Sequence, residues 1–102
     1  LRIYQGDDFY LDLHVMNPDT TDADLSGYTA SASIKLLPNT PPVVSFEVMV
    51  DLTYSVVHLH LLAADTLSIT ESMVWDCQLT TDSSVMTIAA GKVSPMSQVT
   101  VG

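Results

Sequence analysis

Phe9-Tyr10-Leu11-Asp12-Leu13-His14-Val15 is the stretch that decides the fold. Phe9, Leu11, Leu13 and Val15 are apolar, while the interleaved Tyr10, Asp12 and His14 are mostly polar. A side chain on the same face at every second residue is the period of a half-buried β-strand. The alternation returns in Tyr28, Ala30, Ala32, Ile34 and Leu36; in Val44, Phe46, Val48 and Val50; in Val57, Leu59 and Leu61; and in Met73, Trp75, Cys77 and Leu79. Gly, Pro, Asn or Asp punctuates these runs. The pattern predicts an all-β chain folded as an antiparallel β-sandwich or small barrel.

Outward from that strand, Leu1 to Tyr4 reads as a short first strand, turned by Gln5-Gly6-Asp7 into a hairpin with Phe9 to Val15. Asn17 to Asp24 is polar and carries Pro18, which marks a solvated loop, and Leu25-Ser26-Gly27-Tyr28 reads as a tight entry with Leu25 and Tyr28 turned inward. Pro38, Pro41 and Pro42 end the next strand, because proline gives no donor to a ladder. Val43 to Val50 is expected as one strand, hairpinned through Asp51-Leu52-Thr53 to Ser55 to Leu62. The two alanines of Ala63 to Leu67 favour a single helical turn. Met73 to Thr80 and Val85 to Ala90 complete the alternation; Gly91 is expected to allow a kink or bulge before Val93, and Val99 to Val101 to add a last edge strand. The expected core is Phe9, Leu11, Leu13, Tyr28, Ile34, Phe46, Leu59, Leu61, Trp75, Cys77 and Leu79. No repeat or heptad is present.

With 102 residues the chain suits one domain, 1–102, with one core. A hydrophobic fraction of 47% beside 15% charged residues is rich for that size and points to a partner surface. Three basic residues face twelve acidic ones, and a formal charge of −9 repels phosphate backbones and anionic membranes. Neither nucleic acid nor membrane is an expected partner, and no run approaches the roughly 20 apolar residues of a spanning helix. Cys77 is the one cysteine, so no internal disulfide forms, as suits synthesis in a cytoplasm. The chain starts at Leu1 rather than Met, and no signal-peptide pattern is visible in it.

His58 and His60 form an H-x-H pair whose imidazoles share one strand face, and two such ligands begin a metal site, which His14 joins only from an adjacent strand. No cysteine or third ligand stands at a recognisable spacing, so a solvated face is the preferred reading and no cofactor is expected. Asn17, Asp19, Asp22 and Asp24 offer oxygens to Ca²⁺, yet the loop lacks the glycine and terminal glutamate of an EF-hand, and Asp and Asn favour turns for backbone reasons alone. No serine lies in a G-x-S-x-G elbow, and a domain this small has little room for a catalytic cleft. An enzyme is not expected.

The order of signals resembles a domain of tailed-phage structural proteins, with an opening I-x-x-G-D-x-F-x-L-x-L matched by Ile3, Gly6, Asp7, Phe9, Leu11 and Leu13. A following D-L-S/T-G-Y-x-A-x-x-x-I-K/R is matched by Asp24, Leu25, Ser26, Gly27, Tyr28, Ala30, Ile34 and Lys35. Val57, Leu59, Leu61, Asp65 and Thr66 fit V-x-L-x-L-s-x-x-D-T; Trp75, Asp76 and Leu79 fit an aromatic-Asp strand; Gly91, Val93, Val99 and Thr100 fit the closing G-x-V-x-V…V-T. In this respect the chain is similar to the immunoglobulin-like N-terminal domain of phage baseplate upper proteins and related small virion proteins. It departs in the Pro38 to Pro42 loop, in Pro95, which is expected to interrupt the final strand where a valine is usual, and in having no long C-terminal fibre or receptor-binding extension.

The resemblance implies an immunoglobulin-like sandwich of about seven to nine strands. It also implies a virion structural protein, a tail, baseplate or fibre-adaptor subunit present in several symmetric copies and made in the host cytoplasm. Its partners would be other virion proteins: tail, baseplate, fibre or capsid subunits. A capsid decoration protein is the nearest alternative. A host-glycan-binding module is an alternative of another class, and requires an exposed aromatic platform from Tyr10, Tyr28 or Trp75. For the contact role, Ile3, Tyr4, Leu37, Val43, Met49, Val99 and Val101 are the candidate interface residues, on the sheet edges Leu1 to Tyr4 and Val93 to Val101 and near the proline loop.

Overall fold

The computed structural model describes residues 1–97. Its eight strands are β1 (Arg2–Tyr4), β2 (Phe9–His14), β3 (Thr29–Lys35), β4 (Pro42–Ser45), β5 (Glu47–Asp51), β6 (Val56–Leu61), β7 (Met73–Thr80) and β8 (Val85–Met96), with one helical turn, α1 (Ala63–Thr66), before β7. Five strands form one sheet in the order β1-β8-β7-β3-β4, and three form the other in the order β2-β6-β5. The chain is an immunoglobulin-like β-sandwich. The inward alternation of β3, β6 and β7 meets between the sheets: Ile34, Leu59, Leu61, Trp75, Cys77 and Leu79 are buried. Phe46 stands at the centre, its ring 6.4 Å from that of Phe9 and 6.3 Å from that of Trp75.

Five sequence expectations are corrected. First, β1 does not form a hairpin with β2. It runs parallel to β8, Ile3 opposite Pro95, while β2 pairs with β6 in the other sheet. Gly6, at φ +85°, turns the chain across the gap between sheets, and its N–H is held by Thr66 Oγ1 at 2.9 Å. Second, Val43 to Val50 is two strands. β4 pairs with β3 and β5 with β6, so the chain changes sheet at Phe46, whose N–H still donates to the Ala32 carbonyl at 2.9 Å.

Third, Gly91 makes no kink. β8 runs through it, and the bulge falls at Ile88, left over where the register steps from Cys77–Ala89 to Gln78–Thr87. Gly91 answers a different demand: a Cβ there would stand 3.1 Å from Trp75 Nε1. Pro95 likewise fails to interrupt β8. Ser94 N–H donates to Leu1, so the nitrogen of Pro95 faces the opposite side, where β7 has already begun at Met73 opposite Val93.

Fourth, the core is placed differently at its margins. Phe9, Leu11 and Leu13 are only partly buried, because β2 is an edge strand; Tyr28, just before β3, is also only partly buried, and Leu36 lies exposed beyond the end of β3. Leu25 is buried as expected, and Ile69, Met73, Val93 and Thr66 join it. Fifth, Ile3 is fully enclosed and is a core residue rather than an interface one.

Candidate interaction surfaces

The outer face of the three-stranded sheet collects the histidines. Register places Asp12 opposite His58 and Tyr10 opposite His60 on one side of β6, and Met49 and Glu47 opposite the same histidines on the other. His58 Nδ1 lies 2.6 Å from Asp12 Oδ1, with Asp51 Oδ2 4.0 Å from its Nε2. His60 lies between Asp8 at 3.4 Å and Glu47 at 3.3 Å, and the Tyr10 ring stacks on it at 4.3 Å and 6°. β2 does neighbour β6, yet His14 stands opposite Val56 and turns to Asp22 at 2.7 Å. The structure thus brings His58 and His60 together and leaves His14 apart. The carboxylates bracket the imidazoles instead of converging with them, and among the described residues no group of three or more His, Cys, Asp or Glu is arranged to hold a metal ion.

In the Asn17 to Asp24 loop Asp22 turns to His14, while Asp19 and Asp24 serve the backbone. Asp19 accepts from the Thr21 N–H at 3.1 Å and Asp24 from the Ser26 N–H at 3.0 Å. Hydrogen bonds from the side chain and backbone of Thr21 lower the Asp19 carboxyl below its ordinary value, and those of Ser26 lower Asp24. Cys77 is enclosed, and burial, with a smaller contribution from Asp76, pushes its thiol up to about 11.

Of the candidate interface residues, Tyr4, Leu37, Val43 and Met49 are exposed. Leu37 and Val43 flank the proline loop beside Leu36, whereas Met49 lies on β5 in the other sheet, so they do not make one patch. Val99 and Val101 lie outside the described residues. Val93, expected at a free edge, is buried with β7 on one side and, one residue on, β1 on the other. Met16, Val85 and Met86 are exposed too, though none is among the candidate interface residues; the signal for the last two was the uncharged run from Ser83 to Gly91.

No family model and no curated protein matches this chain. Among solved structures it is similar to the Lin-41 filamin domain, with a TM-score of 0.51, 9% sequence identity, and 93% of this chain and 82% of that one covered. That likeness is one of fold.

Proposed function

We propose that this chain is a structural subunit of a bacteriophage virion, a tail, baseplate or fibre-adaptor component that acts through protein–protein contacts. The observation that carries the reading is where large apolar side chains remain exposed: Leu36, Leu37 and Val43 at one end of the sandwich, and Met16, Val85 and Met86 along one side. A chain of charge −9 that leaves such groups in water keeps the free subunit soluble while offering surfaces for neighbours to cover. The resemblance of its ordered motifs to phage virion domains supplies the kind of particle. Enzymatic activity is not part of this reading: the histidines stand on an open face, held by carboxylates, and the thiol is enclosed.

The host-glycan alternative needs an exposed aromatic platform. Trp75 is 8% exposed, against 68% for Tyr10, which already lies flat on His60. Contact with virion proteins is therefore the favoured reading. The test is cryo-electron microscopy of the particle carrying this chain. Density at the tail, neck or fibre base is expected; density over the shell would make it a decoration protein, and absence from the particle would overturn both.

A further inference from the structure

The two outer faces of the sandwich differ in how their polar side chains are used. On the three-stranded sheet each histidine lies against a carboxylate, and elsewhere Asp19, Asp24 and Asp51 accept from backbone N–H groups. On the five-stranded sheet the outward positions of β3, β4 and β7 carry Ser31, Ser33, Ser45, Asp76 and Gln78. None of these side chains has a hydrogen-bond or ion-pair partner among the described residues. The three basic side chains leave the same face. Lys35 and Lys92 stand on either side of Val74 in one register line, so their Cα atoms are about 10 Å apart at the usual strand spacing. Arg2, opposite Ser94, lies one step along from Lys92. The chain has twelve acids, yet every ion pair among the described residues is made by a histidine, and these three cations stand unpaired.

These groups gather around a trough. A hollow of about 420 Å³ lies at Val74 between Lys35 and Lys92, bordered by Pro38 and Asn39 and reaching Asp76 and Gln78. A second hollow of about 400 Å³, lined by Ser31, Ser33 and Ser45, shares Lys35, Asp76 and Gln78 with the first. Together they cross β8, β7, β3 and β4, and Asp76 is the one acid that lines them. The border at Pro38 continues along the chain into the exposed Leu37 and Leu36, part of the apolar group already read as a contact surface.

We propose that this trough docks an acidic, extended segment of another protein, with two of its carboxylates on Lys35 and Lys92 and its backbone N–H groups on Asp76 and Gln78. The inference rests on the contact reading above and deepens it by giving the partner a chemistry. Charge selects the segment, and carboxylates two residues apart on an extended chain lie about 7 Å from each other, within reach of two flexible lysine stems. The net charge of −9 opposes such a partner only weakly. Packed sheets lie about 10 Å apart, so the carboxylates of the far face stand beyond the screening length of about 8 Å at physiological salt, whereas the lysines are in contact. The acids of a second copy are largely engaged with histidines and turn N–H groups, which favours a foreign segment. A nucleic acid is the poorer occupant, because it extends beyond the trough over an acid-rich chain and its phosphates bring no donor for Asp76.

The probe is the capped peptide Leu-Thr-Glu-Thr-Glu-Thr-Leu, titrated into the full chain at about 150 mM NaCl and followed by heteronuclear NMR. Saturable shifts of the Lys35, Val74, Asp76 and Lys92 amides are expected. Lys35→Gln together with Lys92→Gln should weaken binding about tenfold, the combined effect of two exposed ion pairs, whereas His58→Gln on the opposite face should not. Replacing the peptide's glutamates by glutamines should weaken it equally, with the chain itself unchanged. No saturable shift at millimolar peptide, or equal weakening by His58→Gln, would overturn the inference. Tighter binding of a short oligothymidylate would overturn the assignment to a protein and give the trough to nucleic acid. Self-association seen by sedimentation without peptide and lost in the double variant would give it to a second copy instead. Particles that incorporate the double variant normally would overturn the trough alone. Peptide binding by a chain absent from every particle would overturn the virion reading alone.

Discussion

Trp75 and Gly91 are one structural unit. The indole is 8% exposed and its Nε1 fills the space a Gly91 side chain would need. Trp75→Ala should cost about 3–5 kcal/mol, the range for emptying a large aromatic from a core. Gly91→Ala should cost about 1–3 kcal/mol by overpacking against the ring. Because the added methyl then points into the space the indole vacates, the double variant should cost less than the sum of the two. Urea unfolding of all four chains checks this, and strict additivity would mean that the two positions do not share the space. Cys77 adds a pH dependence with a definite sign. Its thiol rises from 9.0 to about 11 on folding, so the folded chain holds the proton more tightly. The resulting stability is fully present below pH 9.0 and is lost as pH rises through about 11. Cys77→Ala should flatten the alkaline limb of a stability–pH profile, and native protein at pH 7 should resist thiol reagents that label it in urea.

At the scale of elements, the helical turn α1 serves as an anchor. Thr66 is fully enclosed; its hydroxyl accepts from the Gly6 N–H and lies 3.0 Å from the Asp7 carbonyl and 2.8 Å from that of Ala63. Asp8 accepts from the Ala63 N–H at 2.7 Å, and Gln5 donates to the Ile69 carbonyl at 2.8 Å. The turn carrying the chain from β1 to β2 is thus tied to α1 from both directions. Thr66→Val keeps the volume but leaves the Gly6 N–H without its acceptor, so a loss of about 1–3 kcal/mol is expected in thermal or urea unfolding. Thr66→Ser, which retains the hydroxyl, should lose less. The alternation of β3, β6 and β7 was legible because a two-residue period encodes which face is buried. It does not encode which sheet a strand joins. Val44 and Val48 continue one alternation through Phe46 while bonding to different sheets, and the partner of β1 lies more than 90 residues away in sequence, as the 91-residue separation of Leu1 and Lys92 illustrates. The histidine face was half legible: spacing put His58 and His60 on one side, but their partnering by Asp12, Glu47, Asp8 and Asp51 depends on register and loops.

Over the whole molecule, charge is unevenly spread. Arg2, Lys35 and Lys92 all belong to the five-stranded sheet, on β1, β3 and β8, whereas the outer face of the three-stranded sheet bears Asp12, Glu47 and Asp51. Near neutral pH the balance is twelve acids against three bases, and compaction brings like charges closer than they are in the unfolded chain. A protonated imidazole beside a carboxylate acts in the opposite sense, but these pairs lie on the surface, where such pairs contribute about 0–1 kcal/mol. Repulsion should therefore dominate. Raising NaCl from 10 to about 150 mM shortens the screening length to about 8 Å and should stabilise the fold. For a domain of this size each kcal/mol moves Tm by about 4–8 °C, so a stabilisation of half that much is measurable by calorimetry. A Tm that falls with salt would instead mean that the histidine–carboxylate attractions outweigh the net charge. Replacing His58 and His60 by glutamine should then remove the fall, whereas under the repulsion argument the same replacement leaves the upward trend in place.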